Sequence, residues 1–311
     1  MIKDYTILSF FFFFLNLSLY PQEVRIFHVG DFDLNGKVKS CLVITDYGRE
    51  SFEFNEEGVL KRTVTQYNDS DQDITYYKYD GDELVEKRME SYKNNALDTS
   101  TSMANFYTID TVPQRKVLEK IVSYDKQFLE QQEYQYNEEG RLARIITSNA
   151  EGVDETTFEY TPYKNEITVS TFTNGILEKS VRTSERKGKK GVQEVVLTKE
   201  YIDGQPNRAT EEVFSPNGKL VTSEDFLYSV AEKEFISQEK RFYHYSDGVL
   251  GKVVTKTVTT EAVEEYIFQF DNHQEKNWVK QIITPNNTYI TRVITYYPEK
   301  EETQQGPNDR K

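Results

Sequence analysis

The sequence predicts an all-β fold, an elongated antiparallel meander of stacked β-hairpin repeats that forms an open, twisted or solenoid-like sheet. Three observations support this prediction: a recurring aromatic-x-aromatic unit, Asn/Asp-to-Gly turn signals after it, and alternating Val, Ile and Thr beyond the turn. Branched and aromatic residues of this kind fit a pleated, half-buried surface. The pattern specifies an architecture, but it does not identify a reaction or a ligand.

The clearest copy of the repeated unit spans residues 134–142, where Tyr134 and Tyr136 precede Asn137 and Gly140. Because side chains alternate along a strand, the two rings point to one face. Asn bonds its own backbone in a turn, and Gly adopts positive φ at no steric cost. The unit therefore predicts a strand, a tight turn and a second strand. Strong copies begin at Phe52, Tyr77, Tyr243 and Phe268, and weaker copies begin at Phe158, Asn174, Tyr201 and Asn217.

The copies recur with a spacing that suits a supersecondary unit. Asn55 and Asp80 are 25 residues apart, and Asp247 and Asp271 are 24 residues apart. A period of about 20–50 residues is typical of stacked supersecondary units. Each period here is long enough for two strands and two turns.

These copies resemble the tyrosine–aspartate (YD) repeats of RHS-like secreted proteins, in the divergent form found in Bacteroidetes. Residues 34–40 resemble the entry segment, residues 134–142 the repeat core, and residues 268–271 followed by Asn277 and Trp278 the closing repeat. The resemblance covers about residues 32–297 and implies a secreted RHS-repeat or YD-repeat protein. Only 14 residues follow Tyr297, so the resemblance does not extend to toxin encapsulation. Residues 201–220 also resemble the shorter MORN-like repeats, which are the second choice of family.

The chain divides into three predicted segments. Residues 1–20 carry Lys3 and then an apolar run with five consecutive Phe, which is typical of a secretory signal peptide and short for a membrane-spanning helix. An uncleaved membrane anchor is the alternative. Residues 21–297 form the repeat array, with a loop insertion predicted near 93–104. Residues 298–311 are polar without apolar spacing and are predicted to be a disordered tail.

The composition limits the partners that we expect. The formal net charge is −14, which disfavours nucleic acid and anionic membrane surfaces. We expect an exported protein in the periplasm, at the cell surface or outside the cell, with no integral membrane span after signal removal. Its partner is predicted to be an envelope protein or a glycan. The oligomeric state stays open, and the single cysteine, Cys41, allows no internal disulfide.

Three aromatic residues are the binding candidates. Trp278 could stack on a sugar, although a lone Trp in a closing repeat is more often a packing anchor. Tyr243 and Tyr245 form the aromatic pair of a strong repeat copy. An ordered rim of such Tyr side chains would support glycan or protein binding.

A metal-site candidate lies near the start of the array. Asp31, Asp33 and Asn35 match the opening of an oxygen-rich calcium loop. Lys39 and Leu42 occupy the ninth and twelfth positions, where ligands are expected. An ordinary repeat turn is therefore the favoured interpretation, and no cofactor is predicted.

Signatures of catalysis are scarce. The three His residues do not pair at metal-ligand spacing, and the sequence has no Gly-x-Ser-x-Gly elbow, nucleotide loop or zinc signature. The favoured function is an exported, non-enzymatic scaffold or binding surface at the cell envelope. The alternatives are a hydrolase with a carboxylate pair in a groove of a curved sheet, and an antitoxin-like or immunity repeat protein. The Phe run at 10–14 disfavours the last, since an immunity protein of that kind would be cytoplasmic.

Overall fold

The computed structural model describes residues 26–189 and 191–298, which form one antiparallel sheet of 20 strands after a 3-10 helix at Val29–Phe32. The predicted signal peptide, and the predicted tail beyond Pro298, lie outside the described residues. No helix in the described residues is long and apolar enough to cross a membrane.

The strands are β1 Val38–Thr45, β2 Gly48–Phe54, β3 Leu60–Gln66, β4 Gln72–Asp80, β5 Glu83–Lys93, β6 Ala96–Asp110, β7 Lys116–Ser123, β8 Phe128–Tyr136, β9 Leu142–Asn149, β10 Val153–Tyr163, β11 Glu166–Thr173, β12 Ile176–Gly188, β13 Gly191–Ile202, β14 Gln205–Phe214, β15 Leu220–Ser229, β16 Glu234–Ser246, β17 Val249–Thr257, β18 Glu261–Phe270, β19 Trp278–Thr284 and β20 Thr288–Tyr296.

The first and last strands pair with each other, so the sheet closes. Each strand pairs with its neighbours in the chain, and β1 also pairs with β20, from Val38 opposite Tyr296 to Ile44 opposite Thr291. The molecule is therefore a 20-stranded up-and-down β-barrel, and the predicted open or solenoid-like sheet is wrong. A twisted open sheet of this size would expose two unpaired edges, and sheets beyond about ten strands tend to curl. Closure pairs both edges.

The same finding corrects the description of the chain as an RHS-repeat or YD-repeat array. The predicted hairpins and their antiparallel order are confirmed, but each repeat supplies two neighbouring strands of a closed wall. The segment near 93–104, expected as a loop insertion, contains a tight turn at Asn94 and Asn95 and then the first part of β6, which pairs with β5.

The turns lie at two ends of the barrel because consecutive strands alternate in direction. We call the end that carries the turns after even-numbered strands the repeat end, and the other the opposite end. The strong repeat copies all have their turns at the repeat end, after β2, β4, β8, β16 and β18. The weaker copies at Asn174 and Asp203 have theirs at the opposite end.

Asn and Gly form the repeat-end turns as their chemistry requires. The Gly58 N–H donates to the Asn55 carbonyl at 3.0 Å, and the Val59 N–H donates to Asn55 Oδ1 at 2.7 Å. The turn at 137–140 makes the same bonds, at 2.9 Å each. Gly58 has φ +81°, a left-handed conformation that a Cβ would strain.

Strand register divides the wall into two faces around the whole circumference. One, the aromatic face, carries the side chains of Tyr77, Tyr107, Tyr134, Tyr243 and Tyr266. The other, the ion-pair face, carries the cross-strand pairs Arg62–Glu53 at 2.7 Å, Arg144–Glu155 at 2.8 Å and Lys240–Glu224 at 2.6 Å.

Three separate clusters of buried apolar residues lie on the aromatic face, towards the repeat end, because a wide barrel wall has no single centre to fill. Val213 and Ala209 are buried on the ion-pair face. The buried members of these clusters include Val38, Cys41, Phe54 and Leu60 in the first, Val117 and Leu142 in the second, and Leu250 and Val253 in the third.

Candidate functional site

Tyr243 and Tyr245 end β16 on the aromatic face and pack against the third core cluster. Lys219 Nζ lies 5.0 Å from the centre of the Tyr245 ring, a distance at which a cation is attracted to an aromatic face. Both rings are partly buried, so they contribute mainly to packing.

A polar group of side chains adjoins Tyr243 on the same face, and we call it the Arg241 cluster. Thr210 Oγ1 donates to Asp225 Oδ1 at 2.9 Å, and Arg241 Nη1 donates to Asp225 Oδ2 at 3.4 Å. Arg241 also pairs with Glu239. Glu212 lies on β14, two residues after Thr210 and opposite Ser223 of β15. The members are Thr210, Glu212, Asp225, Glu239 and Arg241.

Burial and charge shift the acid–base properties of this cluster. Burial raises the pKa of Glu212, and the neighbouring Asp225 carboxylate raises it further. Burial also raises the pKa of Tyr243, while the Arg241 charge opposes that rise. Three carboxyl groups, a guanidinium and a phenol thus share one side of the wall, a set that can bind hydroxyl groups and charged groups of a ligand.

Trp278 does not join this cluster. Its indole Nε1 donates to Asp33 Oδ2 at 2.7 Å, and the Arg292 guanidinium lies 3.4 Å from the centre of its ring. Arg292 also donates to the carbonyl oxygens of Phe32 and Asp33, both at 3.2 Å. Trp278 is therefore engaged in docking the N-terminal segment, and its ring meets the third core cluster through Phe268, 5.8 Å away.

The segment that Trp278 holds, residues 27–36, is here called the strap. At one end the Leu60 N–H donates to the Phe27 carbonyl at 2.8 Å. At the other end Asn277, which is 1% exposed, accepts from the Asn35 N–H at 2.8 Å and donates to its carbonyl at 2.9 Å. The strap thus reaches from β3 to the start of β19, across the junction of β1 and β20.

The three metal candidates lie in the strap and have protein partners. Asp31 accepts the His28 N–H at 2.8 Å, and Asp33 accepts the indole N–H. Burial raises the pKa of Asp33, while the bond from Trp278 and the Arg292 charge oppose that rise. No group of three or more His, Cys, Asp or Glu suited to a metal occurs among the described residues. The calcium interpretation stays a sequence prediction.

A second polar network, on β6 to β8, was missed at the sequence level. Glu119 is buried and accepts from Asn105 Nδ2 at 2.6 Å, Tyr107 OH at 2.9 Å and Tyr134 OH at 2.8 Å. Burial, followed by the Glu119 charge, raises the pKa of both tyrosines. The signal was the placement of Glu119 between Val117 and Ile121 on one face. Its acceptor oxygens are satisfied internally, which indicates a stabilising network.

The fold and these sites define an antiparallel up-and-down β-barrel with polar clusters on one face of its wall. No family model matches the chain, and no curated protein is recognisably similar to it. Among solved structures, it is similar to a porin-like protein from Bacteroides uniformis, with 8% identity, 83% of this chain and 98% of that chain covered, and a TM-score of 0.32. A porin-like protein from Bacteroides vulgatus has 10% identity, coverage of 85% and 100%, and a TM-score of 0.26. TM-scores below 0.5 do not establish a shared fold.

Proposed function

We propose that this chain is an exported, non-enzymatic protein of the cell envelope that binds a glycan or another envelope protein on the aromatic face of its barrel wall. The observation that carries the proposal is the Arg241 cluster beside Tyr243. Arg supplies planar donors, carboxylates supply acceptors, and an aromatic ring supplies an apolar surface. This combination suits a ligand with many hydroxyl groups or a peptide with mixed charge.

The charges on both faces favour a wall that stays in water. Glu119, Arg241 and Glu264 lie on the aromatic face, and Arg144 and Glu224 lie on the ion-pair face, all within strands. A charged side chain on a lipid-facing barrel surface costs up to about 2–4 kcal/mol at the bilayer midplane. Since both faces of the described strands carry charged side chains, we propose that the barrel lies at the envelope without being immersed in a bilayer.

Binding of the purified exported protein to a glycan array, and to immobilised envelope proteins, tests the proposal. We expect Arg241→Gln to weaken the bound signal at least about tenfold, since a charge-assisted contact is lost. Arg144→Gln is the matched control, because it removes an arginine of the ion-pair face. If wild-type protein binds neither class of ligand, or if both variants bind equally well, the proposal is wrong.

A hydrolase is the second candidate, and one observation favours it. Glu212, whose pKa is raised, and Asp225 lie on neighbouring strands of the same face, and a raised carboxyl pKa suits a general acid. Release of reducing ends from envelope polysaccharide would be the readout. Loss of that release in Glu212→Gln, with retention in Glu139→Gln, would support the hydrolase, and absence of release by wild-type protein would reject it.

A further inference from the structure

Exposed apolar side chains concentrate at one end of the barrel. Thirteen of the twenty exposed large apolar side chains among the described residues lie at the opposite end, in its turns or within three residues of them. Nine of the ten connections at that end carry at least one of them, and the exception is the connection from β5 to β6. The most informative members are Tyr47, Tyr67, Tyr124, Val153, Val230 and Val258.

The extent of exposure is unusual for single valines and tyrosines. Val258 and Val230 expose 85% and 82% of their surface, and Tyr47 exposes 63%. The repeat end has four exposed large apolar residues, Val112 and three others, although it carries nine connections against ten at the opposite end. If exposed apolar residues were scattered by chance, both ends would carry similar numbers of them. The asymmetry therefore indicates that the opposite end is a contact surface.

The arrangement is a ring, because alternate turns of a closed up-and-down barrel all lie at one end. A ring of single side chains forms no groove, so an extended peptide or a small ligand would reach only a few of them. A broad, continuous surface can contact all nine connections together. A lipid surface has this shape, and Tyr is enriched where proteins meet the membrane–water interface.

The charges of the same turns narrow the choice of surface. Turn residues at this end include the acids Asp46, Asp69, Asp71, Asp125, Glu151, Asp203 and Glu232, but only the bases Lys126 and Lys233. A second copy docked end to end would set these acids against one another, and anionic lipid would repel them. Zwitterionic headgroups present ammonium groups that carboxylates can pair with.

We propose that the apolar ring at the opposite end docks the barrel end-on onto a zwitterionic lipid surface. The side chains of Tyr47, Val230, Val258 and their neighbours enter the headgroup region, as apolar groups of peripheral proteins do. The turn carboxylates face the ammonium groups. The wall stays in water, and the Arg241 cluster remains accessible.

Co-sedimentation with vesicles of phosphatidylcholine and phosphatidylethanolamine tests the proposal. The rim variant combines Tyr47→Ser, Val230→Ser and Val258→Ser. The control variant combines Val112→Ser, Tyr163→Ser and Val192→Ser, which are exposed at the repeat end. We expect binding by wild-type and control protein, and binding about tenfold weaker or less by the rim variant, because apolar area no longer leaves water. All six positions are exposed, so neither variant should lose its fold, and thermal unfolding checks this.

The proposal is wrong if wild-type protein does not bind these vesicles, or if it binds only vesicles of phosphatidylglycerol. It is also wrong if the rim and control variants lose vesicle binding equally. A wild-type dimer in light scattering that the rim variant abolishes would overturn it too, because a second copy would then be the partner of this end. Arg241→Gln should bind vesicles as wild-type protein does. Failure of vesicle binding can therefore be told apart from failure of the proposed ligand binding at the Arg241 cluster.

Discussion

The phenolic hydroxyl of Tyr160 donates a hydrogen bond to the backbone carbonyl of Leu142, 2.8 Å away. Tyr79 makes the same bond to the Leu60 carbonyl, also at 2.8 Å. In both cases the tyrosine is the second aromatic residue of its repeat copy. Its partner is the residue that begins the strand after the Gly turn of the preceding copy. Arg141, next to Leu142, lies over the Tyr160 ring at 5.3 Å. Successive hairpins are thus joined by side chain as well as by strand pairing.

Replacing Tyr160 with Phe should destabilise the barrel modestly. The ring stays in place, but the Leu142 carbonyl loses a partner, and a hydrogen bond contributes about 0.5–1.5 kcal/mol. Urea denaturation measures the change in unfolding free energy. Tyr163→Phe is the control, because Tyr163 is exposed. Equal stability of the two variants would contradict the role of this bond.

Truncation of Leu60 should cost much more. Leu60 is 1% exposed in the first core cluster, and Leu→Ala substitutions at buried sites cost about 2–5 kcal/mol. Leu227→Ala, at an exposed position, should change stability by less than about 0.5 kcal/mol. Thermal unfolding of both variants makes the comparison. A similar small effect at both positions would mean that the first cluster is not packed as described.

The strap should protect the single cysteine. Cys41 is 1% exposed on β1, opposite Ile294 of β20, and burial raises its thiol pKa to about 11. Trp278→Phe removes the donor to Asp33 and loosens the strap, so we expect faster labelling of Cys41 by a thiol reagent under native conditions. Tyr160→Phe, far from the strap, controls for general destabilisation. An unchanged labelling rate in Trp278→Phe would show that the strap does not cover this junction.

Glu212 should make stability depend on pH. Its folded pKa is raised above the ordinary value of 4.5, so its contribution to stability is fully present below that value and is lost as pH rises. Glu212→Gln should therefore raise the melting temperature at about pH 7, and the gain should shrink at about pH 4. Glu139→Gln, which replaces an exposed carboxylate, should show no such difference. The same gain at both pH values would indicate that burial of Glu212 is not the cause.

The local structure was predictable because it depends on neighbouring residues. The Asn55 and Asn137 turns, and the alternation that sets Tyr134 and Tyr136 on one face, follow from positive φ at Gly and the two-residue period of a strand. Tyr243 was identified at the sequence level for its aromatic pairing. Its polar neighbours Asp225 and Glu212 were not, because they come from other strands.

Closure was not predictable from local patterns. The register of β1 against β20 joins residues about 250 positions apart, and no short motif encodes such a pairing. The sequence allows Trp278 to be either a sugar-stacking residue or a packing anchor, and it does not point to the partner Asp33, which lies 245 residues earlier in the chain. The periodic repeat is equally compatible with an open and a closed sheet, since both use the same hairpins.

Closure of the barrel is tested most directly by a disulfide between the first and last strands. Leu42 and Val293 are opposite each other in the β1–β20 register, so Leu42→Cys with Val293→Cys, in a Cys41→Ala background, places two thiols across the junction. We expect rapid oxidation to an intramolecular crosslink in the monomer, and no crosslink when Leu42→Cys is combined with Val254→Cys on β17. Failure of the first pair to crosslink within one chain would show that β1 and β20 are the free edges of an open sheet.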